Sequence, residues 1–198
     1  MTSCFAMGNV TGNDSDIGGL FGELDRATVE NSYAIGAVSG VVFVGGLAGQ
    51  AVQNTLVTSC YAKGDVTASN NNAGGLIGSA ISQTTIIRDS FATNGTITYT
   101  GSSSSSTFHR VIGSVSIEPQ LTNLYANKDM ERVASNRGTI LGNVTPDASG
   151  LDGESKSIED QFQSTDFFSD TSWTNDDSWS TDVWTFSDDD YPHLKWED

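Results

Sequence analysis

The sequence predicts an all-β protein. The expected architecture is a right-handed parallel β-solenoid of about four to five coils, with an acidic, tryptophan-rich segment capping its C-terminal end. Three observations lead there: side-chain elements recur with a period near 28 residues, glycine clusters separate short alternating runs, and composition changes abruptly near residue 146. Apolar residues that alternate with polar ones over short runs are the mark of strands. The Gly, Asn and Asp clusters between them supply the turns.

The first element reads small–aromatic–Ala: Cys4-Phe5-Ala6, Ser32-Tyr33-Ala34, Cys60-Tyr61-Ala62, Ser90-Phe91-Ala92 and a worn Leu124-Tyr125-Ala126, with aromatics 28, 28, 30 and 34 residues apart. A glycine follows (Gly8, Gly36, Gly64, Gly95), then a β-branched residue (Val10, Val38, Val66, Ile97). The second element is Gly-Gly-Leu-x-Gly at 18–22, 45–49 and 74–78, with a fourth copy read as the degraded Ile112-Gly113-Ser114-Val115. The third is an apolar residue four positions before each later aromatic: Val29, Val57, Ile87 and Leu121. One unit cannot bury its own face, so the units must stack, with coils about 4.8 Å apart and like residues in ladders. Repeated glycines mark corners, where close backbone approach excludes a side chain. They lack the Lys and Ser/Thr of a phosphate loop.

These residues resemble the GLUG repeat, in which a Gly-Leu-x-Gly core recurs with Ser-Tyr-Ala-x-Gly-x-Val segments. The resemblance covers residues 1–126 in about four copies, with a Ser-rich insert at Gly101–Thr107 interrupting the fourth. The tail, with Val183-Trp184-Thr185-Phe186 and Tyr191-Pro192-His193-Leu194-Lys195-Trp196, is similar to the segment closing such arrays. The resemblance implies a secreted or surface-anchored microbial protein of the adhesin-like kind, or a non-catalytic region of an immunoglobulin A peptidase. It implies a binding or spacer role, an extracellular or cell-surface location, and no catalytic residues.

Charge divides the chain at the same place as composition. Residues 147–198 hold 15 acidic and 2 basic side chains, a net of -13, and all four tryptophans; the whole chain carries -16. The expected domains are therefore a solenoid at 1–146 and a cap at 147–198. So few cations make nucleic acid an unsuitable partner. No apolar run is long enough to span a bilayer, and MTSCFAMGNV lacks the pattern of a signal peptide.

Candidate sites follow from the pattern. If Cys/Ser and Ala of the first element point inward, Phe5, Tyr33, Tyr61, Phe91 and Tyr125 form an outward ladder of rings. Such a ladder could dock glycans or a surface protein of a host or neighbouring cell; the competing reading packs it inward or under a neighbouring segment. The acidic run ending in Asp188, Asp189 and Asp190 offers oxygen ligands for calcium, against a plain solvated surface. Thr11, Ser39, Thr67 and Thr98 form a hydroxyl ladder read as solvated strand residues. Cys4 and Cys60 fill one slot two coils apart, too far for a disulfide. His109 and His193 stand at no metal-ligand spacing, and no required cofactor is expected. Asn9, Asn13, Asn94 and Asn143 begin glycosylation sequons. The leading functional reading is a non-enzymatic extracellular binding or spacer module. The alternatives are a subunit that self-associates into filaments through an open N-terminal coil, and a polysaccharide-active β-helix enzyme.

Overall fold

The computed structural model describes residues 1–102, 107–134, 138–139, 146–169, 173, 178–188 and 190–198. It is a parallel β-solenoid of about five coils, each visiting three faces in turn. The first face is a six-stranded sheet of Phe5–Ala6, Thr28–Ala34, Leu56–Ala62, Ile86–Ala92, Gln120–Asn127 and Glu154–Lys156. The second stacks Val10–Thr11, Val38–Gly45, Val66–Gly74, Thr96–Tyr99 and Glu131–Ala134, with Ser15–Gly18 and Phe108–His109 paired alongside. The third stacks Phe21–Leu24, Ala48–Ala51 and Ile77–Ala80, continued by bridges from Ile77 to Ile112 and from Ala80 to Val115.

The ladders read from the sequence are in register. Phe5 pairs with Tyr33, Tyr33 with Tyr61, Tyr61 with Phe91, and Phe91 with Tyr125. Val29, Val57, Ile87 and Leu121 form one rung-to-rung row, and Val10, Val38, Val66 and Ile97 another. The hydroxyl row Thr11, Ser39, Thr67 and Thr98 runs beside the latter.

Strict alternation would put Val29 and Tyr33 on the same side, yet Val29 lies in the inner core and Tyr33 outside it. The reason is a left-handed residue two positions before each aromatic: Ser3, Asn31, Ser59, Asp89 and Asn123 have φ of 55, 49, 53, 48 and 50°. That residue resets the phase, so Val29, Ser32 and Ala34 all point inward. Asn, Asp and Ser tolerate this conformation best among residues with a Cβ. The adjacent small slot has a polar duty. Ser32 Oγ accepts from the Cys4 N–H at 3.1 Å and donates to Glu30 O at 2.8 Å. Ser90 does the same for Cys60 and Arg88.

The corner glycines are held by proximity. A β-carbon at Gly46 would collide with the carbonyl oxygen of Gly75 and stand 2.7 Å from Ala62 Cβ. Backbone on a neighbouring rung cannot yield as a side-chain tip can. Gly46→Ala is therefore expected to cost about 1–3 kcal/mol, the range for overpacking. Urea denaturation checks this, and a midpoint equal to that of the parent would show that the corner can open.

Two expectations change. Glu154–Lys156 pairs in parallel with Tyr125–Asn127, so the solenoid continues past residue 146. The described parts of the C-terminal segment lie along the first face, as their contacts below show. No helix among the described residues is long and apolar enough to cross a membrane.

Candidate binding surfaces

The first face presents the aromatic ladder. Phe5, Tyr33, Tyr61 and Phe91 stack with centroids 5.3, 4.7 and 5.0 Å apart and planes within 12°. This is an outward strip of rings on one side of the coil, separate from the aliphatic core.

It is not an open platform. Tyr33, Tyr61, Phe91 and Tyr125 are buried, and Phe5 is half-buried. The segment from 158 onward runs back along them. Phe167 and Trp173 meet Tyr125 edge-on, while Phe162 stacks on Phe91. Trp179 spans Phe91 and Tyr61, Trp184 spans Tyr61 and Tyr33, and Trp196 sits 5.2 Å from Phe5. The left-handed residues serve as anchors here. Trp179 Nε1 donates to Asp89 O at 2.9 Å, Ser178 Oγ to Asp89 Oδ2 at 3.0 Å, and Trp184 Nε1 to Asn31 Oδ1 at 3.1 Å. The ladder hydroxyls complete the latch: Tyr61 donates to Pro192 O at 2.7 Å, and Tyr33 to the Glu197 carboxylate at 2.7 and 2.8 Å. The ladder proposed for a glycan or surface protein is thus occupied by the chain's own C-terminal segment. The physical reason is that a strip of stacked rings is too apolar to leave wet when six aromatics of the same chain can cover it.

Burial pushes the Tyr61 phenol well above its ordinary range, reinforced by neighbouring Tyr33 and Glu197. Tyr33 rises too, through burial and then its bond to Glu197, and the buried Cys60 thiol is pushed up to about 12. These groups are neutral in the fold and ionise more easily when unfolded. Their contribution is complete below the unfolded values, about 8.5 for the thiol and 10 for the phenols, and is lost as pH rises above them. Stability is therefore expected to fall steeply above about pH 10, with phenolate absorbance appearing together with loss of the fold. Ionisation of all five tyrosines while the near-ultraviolet circular dichroism stays native would contradict this.

The other candidates are separate. Asp188 accepts from the Thr165 N–H at 3.1 Å and hydroxyl at 2.9 Å, which holds its carboxyl below the usual range. Asp190 accepts from the Tyr191 N–H at 2.8 Å. Asp189 lies outside the described residues, as do Asp170, Asp176, Asp177 and Asn143. Among the described residues no three His, Cys, Asp or Glu side chains converge to hold a metal ion. Asn9 and Asn13 are exposed, but Asn94 is fully buried and closed to glycosylation in the fold. Cys4 and Cys60 are free thiols on alternate rungs, with Ser32 between them.

Sequence reasoning missed a buried polar cluster. The fourth corner aligns differently from expectation. His109 pairs with Gly74, Gly75 N–H donates to Arg110 O at 3.2 Å, and Leu76 N–H to Val111 O at 2.9 Å. The fourth copy is therefore His109-Arg110-Val111-Ile112-Gly113, with His and Arg where earlier coils have Gly-Gly. Arg110 is 1% exposed and donates to Asn127 O at 3.3 Å, Ser155 Oγ at 3.0 Å and Gly153 O at 2.8 Å. Asp152, also buried, accepts from the Arg110 N–H at 3.1 Å and lies 3.6 Å from Arg132 Nη1 and 3.2 Å from His109 Nδ1, the last at a poor hydrogen-bonding angle. Burial would raise Asp152, but His109, the Arg110 N–H and Arg132 outweigh it and hold the carboxyl low. The bonds of Arg110 to Asn127, Gly153 and Ser155, and of its N–H to Asp152, all run within the chain, which fits a joint between the fourth and fifth coils. A Gly-Gly pair lost on one coil was the available signal.

Comparison with known proteins supports this picture. Residues 44–67 match the model of the GLUG motif, one full turn from Val44 through the third-face strand to the Val66–Thr67 rung. The chain carries the GLUG repeat. Its coils also superpose on the crystal structure of a candidate immunoglobulin A1 protease from Bacteroides ovatus, with a TM-score of 0.69 and 24% identity. All of this chain is covered, but it spans only 57% of the other. At that identity the likeness concerns the fold. No curated protein sequence matches the chain.

Proposed function

We propose that this GLUG-repeat chain is a non-enzymatic, extracellular binding module of an adhesin-like surface protein. One observation carries the reading: the side chains that recur from coil to coil, the aromatic and aliphatic rows, are spent on packing. Repetition here builds a rigid body, and the residues free to vary face outward. That is the layout of a scaffold whose surface is grafted on afterwards. The Bacteroides ovatus protein shares the fold, and its name raises proteolysis as the rival activity.

The purified chain is expected to leave immunoglobulin A1 and a panel of plant and microbial polysaccharides intact over a day at 37 °C, long enough for roughly 10⁵ turnovers by even a slow enzyme of order 1 s⁻¹. Cleavage that disappears on replacing a single carboxylate would sink the proposal. A second reading, end-to-end assembly, is favoured by the first coil. Among the described residues its strands Phe5–Ala6, Val10–Thr11 and Phe21–Leu24 each pair on one side only, and such an edge can take a further strand. Sedimentation at rising concentration tests it. Filaments abolished by a proline at Phe5 would establish it, and a strict monomer would remove it.

A further inference from the structure

We infer that the cleft between the short helix Thr165–Phe168 and the C-terminal hairpin Trp184–Ser187/Asp190–Leu194 binds a neutral saccharide. This rests on the binding-module reading and names its ligand class and site. The cleft encloses about 440 Å³, within the size range of small-molecule sites. One wall is apolar, offered by the half-buried Phe186 with the buried Phe168 and Trp184 behind it; the rim carries Asp166, Thr181 and Lys195.

The chemistry of the lining selects the ligand. A sugar ring has an apolar C–H face and an edge of hydroxyls that both donate and accept. The aromatic wall suits the face. The rim suits the edge: Lys195 donates, Asp166 accepts and Thr181 does either. None of these three side chains makes a hydrogen bond among the described residues, and all three residues are exposed. A purely apolar ligand would desolvate them without compensation. An anionic one would approach a segment carrying -13 over residues 147–198, and that field opposes it. The walls are already fixed. Thr165 is tied to Asp188, Thr185 donates to Asp198 at 2.9 Å, and Phe186 stacks on Phe168 with centroids 4.8 Å apart. A preformed site loses little freedom on binding. A second cleft of similar size, about 430 Å³ between Asp25, Gln53 and Ile117, has no aromatic wall.

The test uses the full chain on an array of neutral oligosaccharides built from glucose, galactose, mannose and their N-acetylated forms, with sialylated and sulfated counterparts as the anionic arm. Binding to neutral members is expected, with Kd determined by titration of the best one. Asp166→Ala with Lys195→Ala should weaken it roughly tenfold or more, the loss for removing hydrogen bonds to charged groups, without moving the melting temperature. Phe186→Ala should abolish it, and because that variant could loosen the hairpin, the exposed pair is the deciding one. Neutral-glycan binding unchanged in the pair would overturn the cleft while leaving a binding module with its site elsewhere. Binding confined to the anionic arm, or no binding at all, would overturn the inference outright. Neither result bears on proteolysis, which the immunoglobulin assay decides separately.

Discussion

Trp179→Ala is expected to cost about 3–5 kcal/mol, the range for emptying a buried aromatic site. Trp179 is 2% exposed and lies within 4.9–6.5 Å, centroid to centroid, of Tyr61, Phe91, Phe168, Trp173 and Trp184. It also supplies the N–H that satisfies Asp89 O. Truncation would leave a cavity at the centre of the interface and remove the Nε1–H bond to Asp89 O. The consequence extends beyond stability. The C-terminal segment should detach before the coils melt, giving protease cleavage within residues 158–198 and a first unfolding step absent from the parent. Trp196→Ala, at a residue 62% exposed, is the contrast and should change little. Equal behaviour of the two variants in limited proteolysis and urea unfolding would refute the assignment of Trp179 as the keystone.

Asp152→Ala should be comparably damaging, about 3–5 kcal/mol, because it removes the buried carboxylate that faces two buried arginines. Arg110 and Arg132 are 1% and 7% exposed, and Asp152 is the carboxylate they face. Asp152→Asn retains an acceptor for the Arg110 N–H and should lose less. The same pairing fixes the acid limb of stability. Since the folded carboxyl is held below its unfolded value, the contribution is present above about pH 4 and is lost as pH falls through the lower folded value. Asp152→Ala should therefore flatten the fall in stability below about pH 4 while leaving the slope above it unchanged. A variant that keeps the parent's acid limb would show that Asp152 is not the group responsible.

The coil stack was legible because it depends on identity at a fixed spacing. Aromatic, aliphatic and glycine rows must coincide from rung to rung, and a sequence displays that coincidence directly. Three features were not. The phase reset at Asn31, Ser59 and Asp89 depends on a left-handed backbone, to which side-chain alternation is blind; the recurring Ser, Asn and Asp types were its trace. The covering of the ladder joins residues as distant as Tyr33 and Glu197, a pairing with no period to betray it. The polar joint at Arg110 looked like a decayed repeat, because a lost Gly-Gly reads as absence when in fact new chemistry replaces it. The cleft escaped for the same reason as the covering: its walls come from a helix and a hairpin that pattern alone does not bring together.

The route of the last forty residues has a mechanical consequence. The C-terminal segment returns to the first rung, where Trp196 meets Phe5 and Glu197 meets Tyr33. Residues 196–197 therefore lie against the same first rungs that residues 1–6 help to build. Tension between residues 1 and 198 would then not load the rungs in shear, where many hydrogen bonds share the strain. It would concentrate on one aromatic contact at a time, opening the molecule like a zipper from Phe5 towards Tyr125. Pulled between those two residues, the C-terminal segment would peel from the ladder ring by ring before the hydrogen-bonded rungs part.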